Sequence, residues 1–456
     1  MGKVRLAKSP QPIESQDRNF REDLMRILKT DLTDLFRRQE EAPLVDDADT
    51  RLAGDVVRDA VRERATDIHI DPQSEGARVR LRVDGRVLDT VELTDGQFHR
   101  IVNQVKTLAD IDPVKTFEPV DARFTYELDQ RLIDVRIAIV PSVVGPKLAI
   151  RLLDPVRARQ SIAQLGLSED DEQELKDWLD ATSGMFLVTG PTGSGKTTLL
   201  YALLHELRTH DWSVCTIEDP VEYQIDGITQ IQVDSRHGLT FPKGLKTMLR
   251  LDPDFLMVGE VRDPESARSA IDASIAGRAL MTTLHSRDAV SALSALRNWG
   301  ATDLEIAVSL SCVVASRLVR TLCPQCKKAR QPNDKERRWA DLGGIELPDE
   351  VFDADGCSAC HDLGFKGRTG VFETWKLDEE DYNALLTGVD ERAMRRQLAN
   401  KGHRTLIADG LDKARAGMTS VPELAILPDI VLPAAYRGDK ESTDATEAAA
   451  VLSKSS

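Results

Sequence analysis

From Asn19 to Glu41, apolar residues recur at Phe20, Leu24, Ile27, Leu28, Leu32, Leu35 and Phe36. This three-and-four spacing puts them on one face of a helix. The favoured reading is a helix that covers part of the domain after it; a helix that docks a membrane-anchored adaptor is the alternative. Residues 1–18 are polar, and Ala42–Thr50, with Pro43 and three aspartates, reads as a linker. Residues 1–50 therefore form an N-terminal helical segment and linker. Helical spacing returns over Asp55–Arg64 and gives way to short alternating segments at Asp67–Ile70, Arg78–Val83 and Arg86–Glu92. Alternation at period two marks half-buried strands, and Asp84-Gly85 between the last two is a hairpin signal. Phe98–Ile111 is the next helical stretch, and Leu132–Val140 and Lys147–Leu153 are further strands. Residues 51–155 thus read as a small α/β domain, with residues 156–174 as the interdomain linker.

The pattern changes near Leu175. Met185–Thr189 is a short, almost wholly apolar segment, as expected of a strand buried on both faces of a parallel sheet. It runs into a Gly-rich turn, a helix over Lys196–Leu207 and a strand over Val214–Ile217. Phe255–Val258, Pro264–Ala276 and Ala279–Leu284 repeat strand, helix, strand. Strands alternating with helices predict a doubly wound α/β core over residues 175–322. A cysteine-bearing module follows over 323–373, then a C-terminal helical region over 374–427. The Ser-, Ala-, Thr- and Asp-rich tail over 428–456 is expected to be disordered.

Composition narrows the class. The 456 residues are 41% hydrophobic and 30% charged, a globular balance with length for two to four domains. The net charge of −16 and 5% aromatic content argue against a dedicated nucleic-acid partner. No apolar run reaches the ~18 residues of a membrane-spanning helix. The opening residues have neither the apolar core of a secretory signal nor the Ser or Thr of a myristoylation motif at position 6. A cytoplasmic protein is the expectation.

Gly190-Pro191-Thr192-Gly193-Ser194-Gly195-Lys196-Thr197 fits the phosphate-loop pattern in full, with Thr198 beside it. Glycines let backbone N–H groups converge on phosphate oxygens, and the following helix N-terminus adds positive potential. Lys196 would reach the β- and γ-phosphates of ATP, and the Thr197 hydroxyl would hold Mg²⁺. Phe255–Val258 leads through Gly259 to Glu260, a carboxylate at a strand's C-terminal end, where it can orient water or the metal's hydration shell. Glu218 and His285 also follow apolar strands, at the end of the sheet where open α/β folds place ligands.

Cysteine supplies a second chemistry. Four of the six cysteines form two Cys-x-x-Cys pairs, Cys323/Cys326 and Cys357/Cys360. Four thiolates so spaced suit tetrahedral Zn²⁺ and leave no open coordination position, so the expected site is structural.

These motifs resemble the ATPases of type II secretion and type IV pilus assembly, over roughly residues 50–427. The resemblance rests on GPTGSGKTT, TIEDPVE, LRLDPDFLMVGEVRD and TTLHSRDA. It also rests on ATDIHIDP, VRLRVDGRV and DVRIAIVPSVVGPKLAIRLLD, and on CPQC, GCSAC and GFKGRTGVFE. It implies a RecA-like P-loop ATPase core with a smaller N-terminal α/β domain, a zinc module and a helical C-terminal region. It further implies a homo-hexamer driving a polytopic inner-membrane platform protein. By the same resemblance Glu260, Glu218 and His285 are catalytic, and Arg136 and Arg151 reach the nucleotide phosphates. Two departures stand out. Ala276-Gly277-Arg278 replaces the usual Thr-Gly-His, and Ser286-Arg287 replaces Thr-Asn, which makes a modified strand end around His285 the expectation. Two rival readings are a nucleic-acid-translocating motor and a scaffold that binds ATP without turnover.

Overall fold

The computed structural model describes residues 51–112, 118–155, 159–181 and 183–427. The helix expected at Asn19–Glu41, the linker after it and the tail beyond residue 427 lie outside the described residues. The chain divides into two compact units, residues 1–158 and 159–456.

The described residues of the first unit form a six-stranded antiparallel sheet under two helices. Its strands are β1 (Ala65–Pro72), β2 (Ala77–Val83), β3 (Arg86–Leu93), β4 (Val120–Leu128), β5 (Arg131–Pro141) and β6 (Pro146–Leu153), in the order β3-β2-β1-β6-β5-β4. Helices α1 (Arg51–Arg62) and α2 (Asp95–Leu108) cover one face. Strict alternation sends Ile68, Ile70, Val79, Ile133, Val135, Ile137 and Ile150 into a core with Leu52, Val57, Ile101 and Val105 of the helices. Asp84 and Gly85 both take positive φ, 47° and 87°, the geometry of a two-residue hairpin turn matched to strand twist. Thr94 and Gln97 form a reciprocal capping box that starts α2. Alternation leaves the opposite face charged, with Arg80, Arg82, Asp67, Arg136 and Arg151 among its residues. Strand β4 is absent from the sequence expectation, although Val120–Leu128 alternates cleanly.

The second unit is built on a seven-stranded sheet ordered β15-β12-β7-β11-β10-β8-β9. Its strands are β7 (Gly184–Thr189), β8 (Val214–Glu218), β9 (Thr229–Gln232), β10 (Phe255–Val258), β11 (Ala279–Leu284), β12 (Leu310–Leu322) and β15 (Phe365–Lys376). Every pairing in this sheet is parallel except β12 with β15. Helices α3 (Glu169–Asp180) and α4 (Lys196–Leu207) pack with one apolar cluster. Helices α5 (Phe241–Met248), α6 (Pro264–Ile275), α7 (Ser291–Asn298) and α8 (Asp303–Ser309) pack with the other. Strands β8, β10 and β11 are buried at every position, as a parallel sheet covered on both faces requires.

Between β12 and β15 lies a small module with strands β13 (Lys327–Arg330) and β14 (Val351–Ala354) paired antiparallel, and helix α9 (Asp334–Gly343). Helices α10 (Glu379–Leu386), α11 (Glu391–Asn400), α12 (Leu406–Arg415) and α13 (Val421–Ala425) follow. Buried polar contacts tie them to the core. Arg395 donates to Asp288 at 2.9 and 3.1 Å, and the Glu373 carboxylate accepts from the N–H groups of Ala289 and Leu406, both at 3.2 Å. Both Asp288 and Ala289 belong to the loop after β11, so the C-terminal helices brace that loop.

Candidate functional site

Strand β7 ends at Thr189, and the chain turns through Gly190, Gly193 and Gly195 with φ of 149°, 79° and 96°. At Gly190 a side chain has no room: a Cβ would lie 2.5 Å from both Ser194 Oγ and the Ser316 carbonyl oxygen. Gly195, left-handed, caps α4, so the first N–H groups of that helix open onto the loop, where an anion is favoured. Thr197 on the first turn is exposed, a placement that fits the role of Mg²⁺ ligand. The ion's contribution there would be to neutralise phosphate charge. Lys196 Nζ donates to the carbonyls of Gly190 (2.7 Å) and Pro191 (3.1 Å), and lies 3.4 Å from His285 Nδ1. Burial pushes its amine down to about 8; Glu260 opposes the shift and Arg317 adds to it.

The neighbouring strand ends bring two further residues to this loop. His285, just past β11, places Nδ1 2.9 Å from the Gly190 carbonyl and Nε2 2.9 Å from Glu260 Oε1. Glu260, two residues past β10, holds its other oxygen 2.8 Å from Arg262. Thr283 of β11 donates to the Gly259 carbonyl at 2.8 Å, which fixes the end of β10 to β11. Lys196, His285 and Glu260 therefore form one connected cluster at the C-terminal edge of the sheet. The two departures near His285 leave this intact. Ser286 N–H donates to Thr189 Oγ1 at 2.8 Å and its hydroxyl lies 2.7 Å from the same atom. Arg278 donates to the Pro253 carbonyl, and β11 keeps full parallel register with β7. Ser286 makes these ties through its backbone N–H and hydroxyl, groups that a threonine at this position would also supply.

Glu218 is placed differently. Its side chain turns into the core, 3% exposed, and accepts from Tyr201 Oη, Thr216 Oγ1 (2.6 Å) and Gln230 Nε2 (3.2 Å). Burial raises its carboxyl above the usual range, against those three hydrogen bonds. Tyr201 lies on α4, so Glu218 meets the phosphate-loop helix through that phenol rather than facing Glu260. Period-two alternation explains this: Thr216 and Glu218 share the face of β8 toward α4, while Cys215 and Ile217 face the other cluster.

Sequence reasoning missed Arg317. It sits 1% exposed in β12, donates to the Ser316 carbonyl (2.9 Å) and the Arg287 carbonyl (2.7 Å), and lies 3.1 Å from where a Gly190 Cβ would be. It links the phosphate loop to the histidine loop from beneath. The available signal was one cation inside the apolar run Cys312–Val319.

Arg136 and Arg151 belong to the first unit, directly opposite each other on β5 and β6. Arg136 Nε lies 3.4 Å from Asp134, and Arg151 Nε lies 3.1 Å from Asp67.

The four cysteines converge, with all sulfurs within 4.8 Å of one another. Cys323–Cys357 is 3.8 Å, and Cys326–Cys360 and Cys357–Cys360 are each 3.7 Å. Tetrahedral thiolates at a Zn–S length of about 2.3 Å have an edge of about 3.8 Å, so the donor set fits zinc. The Cys357 and Gly364 N–H groups each donate to Cys360 Sγ at 3.2 Å, as suits a thiolate acceptor. Purified protein is expected to carry about one zinc per chain. Cys357→Ser should lose it and raise hydrogen exchange over residues 323–373 more than elsewhere, because metal binding supplies folding free energy to so small a module. Metal analysis finding no zinc in protein prepared without chelator would overturn the assignment.

A Gly-rich loop after a central parallel strand, with a histidine at the end of the adjacent strand β11 and a carboxylate at the end of the next strand β10, defines a P-loop ATPase with a RecA-like core. The chain belongs to the type II/IV secretion system protein family, whose model matches residues 44–426. It is 37% identical over 391 residues to the type II secretion system ATPase E of Vibrio cholerae, covering 86% of this chain and 76% of that protein. It is 35% identical over 391 residues to the type IV pilus assembly ATPase PilB of Thermus thermophilus, covering 85% of this chain and 44% of that protein. The fold is similar to the crystal structure of the Legionella pneumophila ATPase DotB, with a TM-score of 0.61 at 20% identity over 83% of this chain and 95% of that one. The protein is an ATPase of the secretion superfamily.

Proposed function

We propose that this protein is a homo-hexameric ATP-driven motor that powers type II secretion or type IV pilus assembly through a polytopic inner-membrane platform protein, from the cytoplasmic side. The observation that carries the reading is the cluster of Lys196, His285 and Glu260 at one sheet edge, in a chain that shares the family of the V. cholerae and T. thermophilus ATPases. ATP binds with its phosphates on the loop from Gly190 to Thr198, and Thr197 holds Mg²⁺. Glu260, steadied by Arg262 and His285, orients the attacking water. Glu218 sets the pose of α4 through Tyr201. Arg136 and Arg151 bring positive charge to the terminal phosphate as its negative charge redistributes.

Hydrolysis measured across protein concentration, with oligomer size read by light scattering, tests this. Activity per chain should rise as the ring forms. Arg136→Ala and Arg151→Ala should each lose on the order of 10³-fold in turnover while still assembling, the lower end of what arginine fingers supply. Dilute monomer as active per chain as the ring would overturn the motor reading. Stimulation by DNA or RNA would favour a nucleic-acid motor instead.

A further inference from the structure

The loop that carries His285 is held along its length by residues distant in the chain. At its start, Ser286 N–H donates to Thr189 Oγ1 at 2.8 Å, where the phosphate loop begins. Arg317 of β12 donates to the Arg287 carbonyl at 2.7 Å. The next two residues reach the C-terminal part of the chain. Asp288, fully buried, accepts from Arg395 of α11 through both oxygens, from Nε at 2.9 Å and from Nη2 at 3.1 Å. The same guanidinium donates to Ser291 Oγ at the start of α7 and to Glu391 of α11, each at 2.8 Å. Asp288 also accepts from the Ser291 N–H at 2.7 Å, so α7 begins on this carboxylate. Ala289 N–H donates to Glu373 of β15 at 3.2 Å.

Stability alone does not account for so buried a pair. Withdrawing two charges from water costs about as much as their attraction returns, and an apolar pair of similar volume often serves a fold as well. A guanidinium fork on a carboxylate supplies something apolar packing does not, a fixed direction, because two N–H···O bonds must be met together. Asp288 stands three residues from His285, and the residues between them are tied on both sides. A displacement at Asp288 therefore passes to the histidine. There Nε2 meets Glu260 and Nδ1 meets the Gly190 carbonyl, both at 2.9 Å. A misplacement of about 1 Å arising far from the chemistry is enough to slow a reaction.

We propose that Arg395 is a positioning residue for ATP hydrolysis: by fixing Asp288 from α11, it sets where His285 stands against Glu260. This rests on the reading above in which Lys196, His285 and Glu260 form the hydrolytic cluster. Arg395 acts through the loop and not on the nucleotide.

The test uses full-length assembled protein. Removing one partner would strand a buried charge, so the pair is neutralised together as Asp288→Asn/Arg395→Gln. In this variant kcat should fall about tenfold, within the coupling found for residues of one network, while affinity for a nonhydrolysable ATP analogue stays within about twofold of wild type. In a His285→Ala background the same exchange should lower kcat by less than about twofold. A brace that merely supports the fold would cost the same factor in both backgrounds, and that result would overturn the proposal. So would a loss of analogue affinity as large as the loss in kcat. If the pair variant fails to fold, Arg395→Lys decides. It keeps the buried charge but meets Asp288 as a point rather than a fork. It should lose about threefold in kcat beside His285 and nothing in its absence; wild-type turnover by Arg395→Lys would then sink the idea. A slow His285→Ala beside a pair variant with wild-type kcat removes this inference alone. A His285→Ala enzyme as fast as wild type removes the cluster reading, and this inference with it.

Discussion

Lys196→Ala is expected to abolish ATP turnover, by on the order of 10³-fold or more, in a protein that remains folded. The ammonium is the cation carried by the loop itself. Its three neighbours, the Gly190 and Pro191 carbonyls and His285 Nδ1, hold it at 2.7, 3.1 and 3.4 Å. Truncation removes two hydrogen bonds to loop carbonyls and leaves the first turn of α4 with the strongest helix former. The cost to the fold is therefore small, and circular dichroism and thermal unfolding should match wild type near neutral pH. A folded, monodisperse Lys196→Ala that hydrolyses ATP at the wild-type rate would remove the nucleotide site from the phosphate loop.

Proton linkage gives the same residue an independent signature. Burial lowers the Lys196 amine from its ordinary 10.5 to about 8. A lysine with a depressed folded value disfavours folding below about pH 8, where both states are charged, and that penalty disappears as pH rises from about 8 to 10.5. The Ala variant should lack this gain in stability. ATP binding runs the other way, because a phosphate favours the charged amine. Above about pH 8 the enzyme must take up a proton to bind, so affinity should fall by up to about tenfold per pH unit. The variant's weaker affinity should be flat over that range.

The phosphate loop, the hairpin at Asp84-Gly85 and the four-cysteine set were legible because each rests on local constraints: glycine backbone freedom, turn chemistry and ligand spacing. The apolar strands at Met185–Thr189, Phe255–Val258 and Ala279–Leu284 were legible for a different reason, since a parallel sheet buried on both faces leaves runs that nothing else explains. Strand β12 was not. Ser316 and Arg317 interrupt its apolar pattern, and both are buried because the phosphate loop and the Arg287 carbonyl satisfy them. A polar residue whose partners come from distant loops cannot be told from an exposed one by spacing alone. Glu218 shows the same limit at a site residue. The motif around it marks the strand end, but which face its carboxylate takes depends on the register of β8 against β10 and on Tyr201.

Glu260→Gln is expected to lose on the order of 10²- to 10⁴-fold in kcat, the range of a positioned acid–base group, with ATP affinity held near wild type. The carboxylate meets His285 Nε2 at 2.9 Å through one oxygen and Arg262 at 2.8 Å through the other. An amide of the same shape keeps the side chain in place. It offers only one acceptor atom, and turns an N–H₂ toward one of two donors. Water orientation therefore fails before the fold does. Substrate binding depends on the loop glycines, Lys196 and the α4 terminus, none of which the exchange alters, so a fluorescent nucleotide should titrate as in wild type while phosphate release stalls. His285→Ala separates two roles for the histidine. If His285 serves to hold Glu260, the variant should slow turnover by less than Glu260→Gln, and Glu260→Gln should add little further loss on top of it in proportion to its effect alone, the coupling expected of residues in contact. Full additivity of the two, with Glu260→Gln near wild type by itself, would move the water-orienting role away from Glu260 and leave its carboxylate as a tie between β10 and β11.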